Sequence, residues 1–185
     1  MTKETETEKA LLEDIQRSGR PALQRFYNRY LGYAMAVALR YVPQRDEAQD
    51  VVQDAFIKAL SAVGKFVYHG EGSLKGWMMS IVAHTAINHI RQRSRIVFTD
   101  QLPDESDTSA PPVERVPPDV LTRLIGELPD GYRVVLNLFV FGQLPHREIA
   151  RQLGISESTS ASQYLRAKKL LGRKINEYLK RKENE

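Results

Sequence analysis

The sequence predicts an all-α protein of two helical domains joined by a flexible linker, with a helix-turn-helix in the C-terminal domain. Three observations predict this fold. Apolar residues recur at helical spacing in two long stretches, an acidic and proline-rich segment separates these stretches, and a glycine turn divides two helices near the C-terminus. The 185 residues are 42% hydrophobic, which is enough for two small cores.

Composition excludes several classes of protein. The chain has no Cys, so it has no disulfides, thiolate metal sites or Cys nucleophiles, and a reducing compartment fits. The longest apolar run, residues 31–39, ends at Arg40 and is too short to cross a bilayer. The polar N-terminus also lacks the apolar core of a signal peptide. We therefore expect a cytoplasmic protein with no membrane insertion.

The N-terminal domain is predicted to cover residues 8–95 with helices throughout. One helix starts at Pro21 and ends at about Tyr41, where Pro43 stops it. A second helix covers about residues 44–65. A third covers about residues 74–95, and Ser73 is expected to cap its N-terminus.

The second predicted helix carries acids at intervals of four, at Asp46, Asp50 and Asp54. An ordinary solvated face is one interpretation, because the helix macrodipole favours acids near an N-terminus. Against it, stacked carboxylates without an early basic partner repel each other by about a few tenths of a kcal/mol per pair. On a basic domain, this pattern favours a basic protein partner over DNA.

The segment after this helix combines aromatic, amide and basic side chains. Phe66 and Tyr68 begin a glycine-containing loop, and one side of the next helix carries His84, Asn88 and Arg91. Unstacked bases need an aromatic face, donors for their edges and positive charge along their backbone. The bland alternative is that the aromatic residues belong to the core. His84 and His89 are five residues apart and point away from each other, so we expect no metal site.

Residues 96–118 form the predicted linker, which contains Pro-Pro twice and few apolar residues. It carries 1 basic residue against 5 acids, whereas residues 10–95 carry 12 against 7 and residues 119–185 carry 12 against 8. Such a segment buries too little surface to offset its chain entropy, so we expect it to be extended and mobile. Two basic domains flanking an acidic joint suit a polyanionic partner.

The C-terminal domain is predicted to cover residues 119–182 and to contain the helix-turn-helix. Gly154 ends a first helix, and Ser156 caps a second. The second helix has an apolar stripe and an opposite basic side, and that arrangement suits a DNA major groove. An antiparallel helix pair with a solvated outer face is the alternative. The basic residues expected to be exposed are Arg166, Lys168, Lys169 and Arg173.

Three segments carry a family resemblance: DEAQDVVQDAFIKAL (46–60), GWMMSIVAHTAINHIRQR (76–93) and LPDGYRVVLNLFVFGQLPHREIARQLGIS (128–156). In this order, the chain resembles a bacterial RNA polymerase sigma factor of the extracytoplasmic-function type. The resemblance covers both domains, from about Glu8 to Leu179. It implies a transcription initiation factor without catalytic activity or cofactor, which binds core RNA polymerase, recognises two promoter elements and assists promoter melting.

The resemblance also implies partners and residue roles. The partners are the β′ clamp helices and β flap of core RNA polymerase, promoter DNA and an anti-sigma factor. The residues implied to bind core polymerase are Asp46, Asp50, Gln53 and Asp54. The residues implied to bind the minus-ten element are Phe66, Tyr68, Ser73, His84, Asn88 and Arg91. The residues implied to bind the minus-thirty-five element are Ser156, Thr159, Ala161, Ser162, Leu165, Arg166 and Lys169.

The chain departs from the family pattern at three positions. His84 stands where many relatives have Asn, Ser160 replaces a usual Val, and Ala161 replaces a usual Lys or Arg. Without that cation, upstream readout is expected to depend on apolar contact with thymine methyl groups and on DNA shape.

The sequence leaves two alternatives to an initiation factor. A stand-alone helix-turn-helix regulator leaves the acids of the second helix and the aromatic loop unexplained. An enzyme such as a nuclease is opposed by the scattered histidines and by the absence of a metal-binding pattern in the sequence.

Overall fold

The computed structural model describes residues 6–93 and 111–184. Within these residues it contains eight α-helices, two short 3-10 turns and no strand. The chain divides into two compact units, Met1–His89 and Ile90–Glu185. The division falls in the last turn of the fourth helix, a few residues before the predicted boundary at 95. The all-α, two-domain prediction is confirmed.

Four helices form the N-terminal unit: α1 (Glu8–Ser18), α2 (Arg20–Tyr41), α3 (Arg45–Ala62) and α4 (Ser73–Arg93). The three predicted helices correspond to α2, α3 and α4, while residues 94 and 95 lie outside the described part of the chain. A 3-10 turn at Val63–Lys65 follows α3. Helix α1 was not predicted individually. Its N-cap is Thr7, whose hydroxyl accepts a hydrogen bond from the Ala10 amide at 3.2 Å.

An aromatic group lies at the centre of the N-terminal unit, where α1 packs on α2 and α2 packs on α3. The ring centroids of Phe26 and Tyr30 are 5.0 Å apart, and those of Phe26 and Phe56 are 6.1 Å apart. Both pairs have the edge-to-face geometry that aromatic quadrupoles favour. Helix α4 contributes fully buried residues, including Met78 and Val82. This packing fixes which side of α3 and α4 faces solvent.

The C-terminal unit contains α5 (Pro118–Gly126), α6 (Asp130–Val140), α7 (His146–Leu153) and α8 (Glu157–Glu183). Helix α8 packs against the other three. The predicted helix-turn-helix is α7 and α8, and both predicted end signals are confirmed. Gly154 has φ 70° and ψ 36°, a left-handed conformation that costs glycine little. The Ser156 hydroxyl accepts from the Thr159 amide at 3.0 Å.

Part of the predicted linker is structured. Residues 94–110 lie outside the described residues, but residues 113–115 form a 3-10 turn and α5 begins at Pro118. Val116 is only 7% exposed and packs with Leu124 and Ile175. The prediction of a mobile linker is therefore wrong for residues 111–118. The reason is that one apolar side chain in a polar segment completes a core cluster supplied by the adjacent helix α5 and the distant helix α8.

Arg133 fixes the corner between α5 and α6. Its side chain is buried, and its Nη1 donates to the carbonyl oxygens of Gly126 at 3.1 Å and Leu128 at 2.5 Å. Its Nη2 donates to the Asp130 carboxylate. Burial lowers the pKa of the Arg133 guanidinium, and the Asp130 charge opposes that shift. The last carbonyl group of α5, that of Gly126, thereby obtains a donor that the helix cannot supply.

Candidate nucleic-acid and protein interfaces

The exposed side of α3 brings the four predicted polymerase-binding residues together; we call this surface the acidic stripe. Asp46, Asp50, Gln53 and Asp54 are all exposed. The opposite side of the helix carries buried apolar residues, so the helical period forces the polar set outward. Ile57 follows them on the same side and is 68% exposed. The stripe is therefore an acidic surface with an apolar residue at one end.

Residues 66–72 connect the 3-10 turn after α3 to the start of α4; we call them the aromatic loop. Phe66 is half-buried, and its ring lies against Trp77 with centroids 5.1 Å apart. Trp77 is itself only half-buried. Val67 is 65% exposed. The Tyr68 hydroxyl donates to Glu71 Oε2 at 3.2 Å. Phe66 thus has one face already packed, whereas Val67 is accessible.

Ser73 does not cap α4 as predicted. It is the first helical residue, and its hydroxyl donates back to the Gly70 carbonyl at 2.6 Å while accepting from the His69 amide at 3.3 Å. The amides of Gly72 and Leu74 instead donate to Glu8 Oε2, both at 2.9 Å. No local sequence pattern indicates this cap, because the capping carboxylate lies more than 60 residues away along the chain.

Three predicted DNA-binding residues lie on one exposed side of α4. His84, Asn88 and Arg91 are all exposed and are spaced by four and three residues. Between them, Ala86 and Ile87 are buried. The structure therefore presents an imidazole, an amide and a guanidinium along one line, a set that includes both base-edge donors and positive charge.

The residues of α8 that are predicted to read the minus-thirty-five element differ from one another in exposure. Ala161 is exposed and Leu165 is 43% exposed, while Ser162 and Lys169 are half-buried. The hydroxyl oxygens of Ser156 and Thr159 lie 2.7 Å apart at the helix start, where the Ser156 hydroxyl caps the helix. Ala161 and Leu165 therefore form a small apolar surface on the exposed side of the helix.

Arg166 corrects the predicted basic side of α8. It is 3% exposed, and its Nε and Nη1 have no hydrogen-bond partner among the described residues. Gln163 and Ala167, three residues before and one residue after, are fully buried. The buried stripe of α8 is wider than its apolar residues alone predict, because polar side chains occupy part of it. Lys168 is exposed, and its Nζ lies 5.1 Å from the Tyr164 ring centroid.

Residues 6–93 and 111–184 contain neither a candidate metal site nor a membrane-spanning helix. No three His, Asp or Glu side chains there are grouped as a metal site requires. No helix in those ranges is long and apolar enough to cross a membrane.

A helix-turn-helix joined to a second helical domain defines the class of the protein, a DNA-binding transcription factor. Comparison with known proteins then specifies the family. Residues 26–96 match the family model of Sigma-70 region 2, and residues 119–171 match that of Sigma-70 region 4. The chain belongs to the sigma-70 family of RNA polymerase sigma factors, in the two-region form of the extracytoplasmic-function type. It is a promoter-specific transcription initiation factor, and its family consists of transcription factors rather than enzymes.

Relatives agree with this assignment over nearly the whole chain. The RNA polymerase sigma-H factor of Pseudomonas aeruginosa is 27% identical over 195 residues, covering 95% of this chain and 97% of the relative. The ECF RNA polymerase sigma-E factor of Escherichia coli strain K12 is 26% identical with the same coverage. Because both domains match in order, the stand-alone regulator is not supported.

A solved structure has the same fold. The sigma factor RpoE of Bartonella quintana, in a co-crystal structure with the anti-sigma factor NepR, has a TM-score of 0.50 and 21% identity. The match covers 82% of this chain and 95% of that one.

Proposed function

We propose that the acidic stripe binds the clamp helices of the polymerase β′ subunit. The observation that carries this proposal is the outward orientation of Asp46, Asp50, Gln53 and Asp54 in a domain with more basic than acidic residues. Carboxylates that repel one another along a free helix are stabilised when basic side chains face them across a protein interface. The exposed Ile57 beside them adds apolar area that such an interface would bury.

The aromatic loop and the exposed side of α4 recognise the minus-ten element and hold a base flipped from the non-template strand. Unstacking a base costs about a few kcal/mol, and contacts in the pocket must offset that cost. The loop offers apolar and aromatic surface for packing against a base, at Val67 and Tyr68. Helix α4 offers donors for base edges and phosphates, at His84, Asn88 and Arg91.

Helix α8 reads the minus-thirty-five element. Ala161 and Leu165 supply apolar contacts to thymine methyl groups, and Ser162 supplies a hydroxyl at the same surface. Lys169, with the neighbouring Lys168, contacts phosphates. Because Arg166 is buried, we assign it to the packing of α8 rather than to a phosphate. The same domain contacts the β flap of the polymerase.

The protein acts in the cytoplasm, where polymerase and promoter DNA are found, and it has no catalytic activity of its own. An anti-sigma factor holds it inactive. The co-crystal structure of the Bartonella quintana relative with an anti-sigma factor supports this kind of partner.

Reconstitution with core RNA polymerase tests the whole proposal. The purified chain should be retained by immobilised core polymerase and should direct run-off transcripts from a promoter selected out of random DNA. The matched control is core polymerase alone, which should give no promoter-dependent product. If the chain binds the selected DNA tightly but neither binds core polymerase nor directs transcripts, the proposal is wrong.

A further inference from the structure

Glu8 is a buried carboxylate that the proposed contacts with polymerase and DNA do not use. It lies at the start of α1 and is 2% exposed. Its Oε1 accepts from the Tyr30 hydroxyl at 2.9 Å and from the Lys75 amide at 3.0 Å. Its Oε2 accepts from the amides of Gly72 and Leu74, both at 2.9 Å. Four donors therefore replace the water that this charged group loses on burial.

The three amides belong to the end of the aromatic loop and the first turn of α4. The first amides of a helix have no partner within the helix, and a negative charge there is favoured by the macrodipole. Helix α1 thus supplies the N-terminal cap of α4. Since Gly72 belongs to the loop itself, the same carboxylate also holds the loop backbone.

The loop returns an equivalent contact to α1. The backbone amide of Glu8 donates to both carboxylate oxygens of Glu71, at 3.2 and 3.1 Å. Glu71 Oε2 also accepts from the Tyr68 hydroxyl at 3.2 Å, and Oε1 accepts from Arg29 Nη2 at 3.3 Å. A carboxylate from α1 therefore binds the N-terminal end of α4, and a carboxylate from the loop before α4 binds the N-terminal end of α1. The same contacts hold Tyr68 in place.

The loop backbone needs such support because it is unusual. Gly70 has φ 115° and Gly72 has φ 91°, a region that residues with a side chain rarely adopt. Glycine also loses the most conformational freedom on ordering, so a loop with two such residues is expensive to hold in one shape. Hydrogen bonds donated by the loop and helix amides to a buried carboxylate hold this shape before any DNA arrives.

We infer that Glu8 and Glu71 are positioning residues for minus-ten recognition: their reciprocal capping of α1 and α4 preorganises the aromatic loop that takes the promoter base. The inference rests on the role proposed above for that loop. Neither carboxylate contacts DNA. Their effect is to reduce the ordering cost that the loop would otherwise incur when the base enters.

The primary test compares three variants in holoenzyme. Glu8→Gln keeps the size of the side chain but presents an NH₂ group to a site lined only by donors. Glu13→Gln makes the same change at a half-buried position of the same helix, where the partner is Arg17 at 3.5 Å. Tyr30→Phe removes one donor from Glu8 and leaves all three loop amides in place.

Glu8→Gln should lower the rate of open-complex formation on a duplex promoter by about tenfold, because a mispaired buried polar group perturbs the loop. It should also weaken discrimination among minus-ten sequences, which general destabilisation does not change. Core polymerase affinity should stay within about twofold of the unmodified chain, since the acidic stripe lies on another helix. Glu13→Gln should match the unmodified chain, and Tyr30→Phe should retain discrimination.

Amide hydrogen exchange on the full chain supplies a readout independent of transcription. In Glu8→Gln, the amides of Gly72, Leu74 and Lys75 should exchange about tenfold faster, while the α3 amides keep their protection. Equal loss of protection throughout the domain would mean that Glu8 acts only in overall stability, and it would overturn the inference.

A shortened aromatic loop separates the two hypotheses. If holoenzyme with the shortened loop opens duplex promoters normally, the proposed loop function is wrong. If the shortened loop abolishes opening but Glu8→Gln opens promoters and discriminates minus-ten sequences normally, only the positioning role is overturned. Loss of opening in both variants, with core binding retained, supports both.

Discussion

The His146 ring and the Ser160 hydroxyl join the two helices of the helix-turn-helix, with Nδ1 and Oγ 3.0 Å apart. The imidazole stacks on Phe139 with ring centroids 4.6 Å apart, and Ser160 is fully buried. This contact explains why a polar residue, Ser160, is tolerated on the packed side of α8. A buried hydroxyl with a partner costs far less than one without.

Ser160→Ala should destabilise the C-terminal domain by about 1–3 kcal/mol, because it leaves His146 Nδ1 without its partner. His146→Phe keeps an aromatic ring against Phe139, so the double variant should be less destabilised than the two single changes predict together. Denaturant unfolding of all four proteins measures this coupling. Strictly additive effects would show that the hydrogen bond has no role in stability.

Gly154→Ala should destabilise the helix-turn-helix by about 1–2 kcal/mol, since the residue has φ 70°. An added Cβ would meet no atom within 4 Å, so the cost comes from the backbone conformation and not from a clash. Gly154→Asn is the matched control, because Asn adopts this conformation more readily than Ala. Thermal unfolding should therefore rank the proteins Gly, Asn, Ala, and equal stability of Asn and Ala would contradict the backbone explanation.

Reversing two charges of the acidic stripe, Asp50→Lys with Asp54→Lys, should reduce core polymerase affinity on the order of several kcal/mol. Both side chains are exposed, so the fold should be unaffected. Glu13→Lys reverses a charge at a half-buried position on another helix of the same domain and serves as the control. A competition assay for core polymerase measures the effect, and unchanged binding by the double variant would remove the stripe from the interface.

Two residues of α8 should separate phosphate contact from base readout. Lys169→Ala should weaken binding to all promoters about equally and lower the salt dependence by roughly one counterion. Leu165→Arg should instead change the upstream sequence recovered from a randomised element, because Leu165 is 43% exposed on the side that carries Ala161. Recovery of the unmodified consensus by Leu165→Arg holoenzyme would mean that this side does not read bases.

Alkaline pH should destabilise the N-terminal domain. Burial raises the pKa of Tyr41 to about 12, and burial together with the hydrogen bond to Glu8 raises the pKa of Tyr30. Unfolded tyrosine titrates near its ordinary value of 10.0, so the unfolded chain loses these protons first. The stability is complete below that pH and falls as pH rises above it. Urea unfolding at increasing pH measures the loss, and Tyr41→Phe should reduce it; an unchanged pH dependence in Tyr41→Phe would contradict the assignment.

Local signals in the sequence determined much of this protein. Pro43 and Gly154 end helices by their own backbone constraints, and Ser156 caps α8 through an amide three residues away. The four-residue period of Asp50 and Asp54 predicts a common exposed side without reference to the rest of the chain. These features depend on neighbours within one or two turns, so the sequence alone contains them.

Contacts between distant segments were decided only by the tertiary structure. Ser73 is of a residue type that often caps helices, yet Glu8 caps α4 from the other end of the domain. Arg166 follows the pattern of an exposed basic residue but lies buried beside Gln163, and Val116 leaves the polar linker to join a core cluster. The physical reason is common to all three. Burial and hydrogen bonding depend on which segments come into contact in the folded chain. The helical period and composition of one segment do not specify those contacts.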